Sequence, residues 1–403
     1  MSTNASPFEF VYQAPADPIL GLTEAFNADP CPSKVNLGVG VYQDGDGKVP
    51  LLEVVREAEE RLLKTENSKS YLPIDGILAY NKEVQGLLFG PHAPVIRDGR
   101  VVTVQAPGGT GALSVGADFL KRFFPHSEIY ISSPTWENHR GVFEAAGFGV
   151  ETYPYYDPET HGLDFPAMIR ALKCIPPGNI ILLHACCHNP TGVDPSRAQW
   201  EVLVDHFRSA GLIPFLDFAY QGLGDGLEED AFAVRAFADA GIPCLVANSF
   251  SKSFSLYRER VGALTILTTS AEESKRVLSQ VKRVIRANYS NPPSHGAQIV
   301  ATVLGDSELR ARWEVELAEM RQRIRGMRYL FVKTMKEKGV LHNFSFMQQQ
   351  KGMFSFTGIP TDVVHRLRGQ YSLYIVDSGR ICIAAVNDKN LDYIGSSIAK
   401  VMP

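Results

Sequence analysis

Seven short apolar runs between residues 101 and 267 constrain the fold more than any other feature of the chain. They are Val101–Gln105, Ile129–Ser132, Val150–Tyr153, Ile180–Ala185, Ile213–Leu216, Cys244–Ala247 and Val261–Leu267. Most are rich in Val, Ile and Leu and are followed by Gly, Pro, Asn or Asp. Helix-length amphipathic stretches lie among them, at Gly111–Phe124, Ser196–Ala210 and Asp230–Ala240. Strands covered on both faces read as continuous apolar runs rather than as alternation. With helical segments between them, such runs predict an α/β fold: a mostly parallel seven-stranded sheet flanked by helices.

Beyond Asp306 the texture changes. Glu308–Lys338 is charged and amphipathic, with Leu309, Trp313, Leu317, Met320, Ile324 and Met327 spaced along one helical face. Strand candidates follow at Met353–Thr357, Leu373–Val376 and Arg380–Ala385, with a short helix between, which reads as a smaller α+β unit. The start of the chain carries Pro7, Pro15, Pro18, Pro30 and Pro32 and reads as an extended arm. The division expected is a large α/β domain over 46–310, and a small α+β domain built from 1–45 with 311–403. Forty basic against 44 acidic residues leave no cationic surplus for a nucleic-acid partner. No apolar run reaches the ~20 residues of a membrane helix. The opening MSTNASPFEF lacks the charge and apolar core of a secretory signal, so the expected location is cytoplasmic.

Six cysteines are too sparse for a disulfide framework. In His184-Ala185-Cys186-Cys187-His188, strand alternation would put His184, Cys186 and His188 on one face, as three metal ligands would need. No second ligand cluster completes such a site, so the thiols read as small core residues and no metal is expected.

In an open parallel sheet, ligands bind beyond the carboxyl ends of the strands. The first run leads into Ala106-Pro107-Gly108-Gly109-Thr110-Gly111, a glycine turn opening a helix, which suits an anion such as phosphate. It is neither a P-loop nor a dinucleotide fingerprint, because no Lys follows and Ser114 stands where the third glycine belongs. Later strand ends carry Trp136 and His139, then Asn189, then Asp217 and Tyr220, then Ser249, Ser251 and Lys252. Singly, each has an ordinary explanation: a turn, a helix cap, a core aromatic, a solvated lysine. Together they form one set. A lysine at a buried strand end loses solvation, which lowers its pKa and makes its amine nucleophilic toward an aldehyde. A phosphate cradle, a flat aromatic and a carboxylate beside that amine match one cofactor, pyridoxal 5'-phosphate, and Arg260 is near enough in sequence to reach its phosphate.

With these residues the chain resembles the class I, fold type I aminotransferases, in particular the aspartate/aromatic aminotransferase family. The resemblance runs from Pro15–Gly21 to Ser378–Arg380. It rests on His188–Asp194, Asp217–Gly222, Ser251-Lys252, Glu259–Gly262 and Arg286–Pro293. It implies that Lys252 is the Schiff-base lysine and proton shuttle. Asp217 pairs with the pyridine nitrogen and is supported by His139, while Tyr220 and Asn189 hold the phenolic oxygen and Trp136 stacks on the ring. Gly108, Gly109, Thr110, Ser249, Ser251 and Arg260 surround the phosphate, with Tyr71 reaching in from a neighbouring subunit. Gly40 and Arg380 hold the substrate α-carboxylate, with Trp136 and Asn189 also lining the substrate. Arg286, again from the neighbour, takes a distal carboxylate. Gly108 stands where many members have a serine, which removes one hydrogen bond to the phosphate.

The reading is a ping-pong transaminase acting as a homodimer with shared sites, on aspartate and 2-oxoglutarate. The alternative main activity is on tyrosine and phenylalanine, because Pro134–His139 and Asn248–Tyr257 resemble the aromatic-accepting branch. A nicotinamide dehydrogenase would share the sheet but lacks its glycines here. A non-catalytic relative should have lost Lys252, Asp217 or Arg380, and all three are present.

Overall fold

All seven runs become strands of one sheet: β1 Val101–Pro107, β2 Ile129–Ser133, β3 Val150–Pro154, β4 Ile180–His184, β5 Ile213–Phe218, β6 Cys244–Ser249 and β7 Val261–Leu267. The structure is a computed structural model that describes residues 6–14 and 19–402. Pro15 and Pro18, and with them most of the Pro15–Gly21 segment, lie outside the described residues.

The strand order is β1-β7-β6-β5-β4-β2-β3. β7 runs against both its neighbours, and all other pairs are parallel. The reversal has a simple cause. Only residues 250–260 separate β6 from β7, fewer than the dozen or more that a parallel crossover needs.

Burial explains why the runs are continuous. Along β4, Ile180 and Leu182 join Phe215 and Leu264 in one core, while Ile181 and Leu183 join Leu216 and Val246 in the other. Successive side chains therefore enter opposite cores, and both are closed to water. Helix α1, Gly108–Phe123, leaves β1 without a connecting loop. The helix Arg197–Ala210 starts at Ser196 in a reciprocal capping box with Gln199. The helix expected over Asp230–Ala240 forms as Phe232–Asp239, and a break at Ala231 separates it from a short preceding helix, Leu227–Asp230. Asp230 turns back at the break, and its carboxylate accepts the N–H groups of Gly222, Gly224 and Asp225.

Helix α2, Ser307–Glu337, buries the predicted stripe and also Arg328. Asp306 caps it by accepting from Glu308 and Leu309. The remaining predicted strands are shorter than expected. Phe354–Phe356 pairs antiparallel with Arg380–Cys382, after which Ile383–Ala385 forms a 3-10 turn. Leu373–Tyr374 pairs in parallel with Val35–Asn36, so the start of the chain is stitched to its end. No helix among the described residues is long and apolar enough to cross a membrane.

Candidate active site

The carboxyl ends of β1, β2, β4, β5 and β6 open on one side of the sheet, and the reversed β7 presents its beginning there. A cavity of about 690 Å³ occupies this position. Its wall includes Gly40, Gly109, Thr110, Trp136, Asn189, Asp217, Tyr220, Ser249, Ser251, Lys252, Arg260 and Arg380, all expected from the sequence.

One end is an anion cradle. It is formed by the N-terminus of α1, where the first amides have no intrahelical acceptor and the helix dipole is positive, with Ser249, Ser251 and Arg260 around it. Among the described residues the hydroxyls of Thr110 and Ser251 meet no hydrogen-bond partner, and no carboxylate pairs with Arg260. Gly108 sits behind the cradle with φ at +76°, and a Cβ there would lie 2.5 Å from Nη2 of Arg260. A serine at this position would therefore require a shifted turn or a moved arginine; in this chain the bare backbone lets the guanidinium close against the helix start.

At the floor, Lys252 presents its amine with Nζ 5.1 Å from the centre of the Tyr220 ring. Its side chain keeps a partly exposed surface toward the cavity, yet burial lowers its pKa to about 8, against the raising effect of the Asp217 charge. Asp217, next to last in β5, is buried. Burial works to raise its pKa, but the His139 hydrogen bond and nearby charges outweigh it, so the carboxyl stays below its usual value and ionised.

A relay lies behind that carboxylate. His139 Nε2 donates to Asp217 Oδ2 at 2.9 Å, His139 Nδ1 lies 2.8 Å from Thr135 Oγ1, and that hydroxyl lies 3.1 Å from His184 Nε2. His184 is held neutral, its pKa lowered to about 3 first by burial and then by His139. His139 is thus a supporting group behind the wall rather than part of it. Trp136 meets His139 edge to face with ring centres 5.2 Å apart.

At the other end lies Arg380, 1% exposed. Its Nη1 donates to Asn189 Oδ1 at 3.1 Å and its Nη2 to the Gly38 carbonyl at 2.6 Å, while Nε is buried without a partner. Its guanidinium lies over the ring of Phe354, 4.3 Å from the centre. Gly40 permits that stack, since a Cβ there would stand 2.6 Å from the same ring. Burial raises the Tyr220 hydroxyl well above its ordinary pKa, so it remains a donor.

Besides Gly108 and His139, two expected residues do not line this chain's cavity. Tyr71 is 90% exposed, and Arg286 is an exposed residue bonded to Ser290. Sequence reasoning in turn missed wall residues Ile19, Leu113, Glu137, Asn138, Ala219 and Phe354. Glu137 and Asn138 follow the recognised Trp136, and Glu137 stands 3.9 Å from Arg380.

The alternation drawn for His184, Cys186 and His188 does not hold. β4 ends at His184, and Cys187 adopts φ +51°. Both nitrogens of His188 face hydroxyls, of Ser132 and Thr191. Cys186 and Cys187 instead approach Asp230 to within 4.8 Å, but that carboxylate is already occupied by three backbone donors.

A family model described as aminotransferase class I and II matches residues 32–398. The aspartate aminotransferase of Pseudomonas aeruginosa is 54% identical, covering 98% of this chain and all of its own. The aromatic-amino-acid aminotransferase of Burkholderia pseudomallei, solved covalently bound to pyridoxal phosphate, superposes with a TM-score of 0.97 at 56% identity, covering 99% of this chain and 100% of that one. The aromatic amino acid aminotransferase of Psychrobacter sp. B6, cocrystallised with aspartic acid, gives 0.95 at 43% identity over 98% and 99% of the two chains.

Proposed function

The chain belongs to the class I and II aminotransferases, a pyridoxal-phosphate-dependent transaminase family, and from that premise we propose that it moves an amino group between aspartate and 2-oxoglutarate. The observation that carries this reading is the meeting of Lys252, Asp217 and Arg380 in one cavity that ends in an anion cradle. The residues fit pyridoxal phosphate. Thr110, Ser249, Ser251, Arg260 and the start of α1, with Gly109, would hold its phosphate, Trp136 would cover its ring, and Lys252 would hold its aldehyde carbon. When bound, the cofactor supplies a carbonyl that exchanges nitrogen with the substrate and a ring that withdraws electrons from the substrate α-carbon.

The protein's own groups do the rest. Arg380 binds the α-carboxylate through its guanidinium edge, each charge-assisted bond being worth roughly 1.5–3 kcal/mol, and so fixes the direction of the Cα–H bond. Lys252 Nζ takes that proton, and an amine of pKa about 8 is well matched to the task near neutrality. Asp217 holds a proton on the ring nitrogen, and the His139 N–H keeps the carboxylate ionised for it. Tyr220 and Asn189 would hold the ring's phenolic oxygen.

Arg286 would select a distal carboxylate, and Tyr71 would reach the phosphate, each across the interface of a homodimer. Their absence from this chain's own cavity supports that arrangement, as do the exposed Phe8, Phe10, Tyr12 and Leu51. The large domain over 46–310 and the small domain of 1–45 with 311–403 would then flank each shared site. Aromatic amino acids are the second substrate reading, favoured by the likeness to the Burkholderia enzyme.

Steady-state kinetics with aspartate, tyrosine and phenylalanine side by side decide between the two. Borohydride reduction followed by peptide mapping should tag Lys252, and a tag at another position would overturn the assignment.

A further inference from the structure

Helix α2 buries a guanidinium that no ordinary account of stability explains. Arg328 is 2% exposed, and no carboxylate among the described residues forms an ion pair with it. Burial lowers its pKa to about 10, so it remains charged at neutral pH. A buried cation without a counter-ion is costly, and an apolar side chain of similar volume would serve packing better. Arg328 spends its donors on one short segment. It bonds the Gly352 carbonyl, the Phe354 carbonyl at 3.3 Å and Ser355 Oγ at 3.0 Å.

That segment carries Phe354, whose ring meets the site on three sides. Arg380 lies over it, Tyr220 meets it edge to face with centres 6.0 Å apart, and Gly40 packs against it too closely for a Cβ. The segment pairs with Arg380–Cys382 and accepts at the Phe356 carbonyl from Gln350 Nε2 at 3.0 Å, but at Gly352, Phe354 and Ser355 the side-chain donor is Arg328. We propose that Arg328 is a positioning residue for substrate binding: from outside the cavity it fixes the backbone of Phe354, whose ring sets where the Arg380 guanidinium stands. Arg328 touches neither substrate nor cofactor. Its charge matters because a charged donor grips neutral carbonyls about twice as strongly as a neutral one.

The inference rests on the reading of Arg380 as the carboxylate-binding group, so the experiment tests both. In cofactor-loaded enzyme, Arg328→Lys, Phe354→Leu and Arg380→Leu are measured for KM and kcat with the amino acid, beside their unfolding midpoints. Arg328→Lys should raise KM ~10-fold, as one weakened positioning contact would, with kcat within ~3-fold. In the Phe354→Leu background the same change should add less than ~2-fold, because the two act in series. Ser355→Ala, which removes one acceptor while leaving the arginine in place, should raise KM in the same direction and serves where a substitution at Arg328 does not fold. A lowered midpoint with unchanged KM, or KM effects of Arg328→Lys and Phe354→Leu that multiply, overturns the inference. An Arg380→Leu enzyme with unchanged KM overturns the reading beneath it.

Discussion

Lys252 permits a test that does not depend on turnover. Burial lowers the pKa of its ammonium from 10.5 to about 8, with the Asp217 charge acting the other way. At pH 7 an amine of that pKa is free base in roughly one chain in ten, against roughly one in 3,000 for an ordinary lysine, a gain of roughly 300-fold in the reactive form. In protein stripped of cofactor, acetylation by a small anhydride, followed by peptide mass spectrometry across pH, should reach half its plateau near pH 8 at Lys252. Solvent-exposed amines in the same digest should follow the ordinary lysine range. Asp217→Asn removes the charge that favours the ammonium, so the midpoint should move lower still. The same shift has a sign for stability. Between about pH 8 and 10.5 the unfolded chain binds more protons at this site than the folded one, so the contribution of Lys252 rises with pH across that window. A midpoint at the ordinary ~10.4, or an upward move in Asp217→Asn, would refute the claim that burial sets the behaviour of this amine.

His139→Ala deletes the donor to Asp217 and should lower kcat ~10–100-fold, the worth of one charge-assisted bond, while the protein still folds and takes up cofactor; unchanged kcat would disconnect the relay from catalysis. Asp194→Ala leaves the N–H groups of Cys187 and His188 without their acceptor and should cost ~2–5 kcal/mol in a urea titration, with loosened placement of Asn189 read as a higher substrate KM. Mixing Lys252→Ala chains with Arg286→Leu chains should restore dicarboxylate activity to about a quarter of wild type, because half the random dimers are hybrids with one intact site. No recovery after verified exchange of subunits would place both residues in one chain's site.

The sheet was readable because its strands are buried twice over: Ile180–Leu183 has no polar face to obscure the run. The cradle and the lysine were readable because glycines, hydroxyls and a cation collect at strand ends that the fold brings together. What stayed hidden has the look of ordinary packing. Phe354 sits in an apolar run and resembles any core aromatic until its ring is seen under Arg380. Arg328 follows Met327 in a charge-rich helix, and nothing in its neighbours marks it as buried. His184 and Thr135 lie 49 residues apart, so their link to Asp217 through His139 exists only after folding. The short helix Leu227–Asp230 was not legible because what holds Asp230, three backbone amides of a loop, comes together only on folding. Tyr71 and Arg286 lie outside this chain's own cavity, and nothing in their local sequence marks either as a site residue.

The return of β7 beside β6 ties two cationic groups of the cavity wall to a single ribbon. Lys252 leaves one leg and Arg260 enters the other, with Arg260 itself in a left-handed turn at φ +54°. The spacing between the Lys252 amine and the Arg260 guanidinium is therefore written in residues 250–260 rather than in the packing of separate elements. This connection acts as a fixed-length ruler, and a single inserted residue there would shift one of these two cationic groups of the cavity against the other.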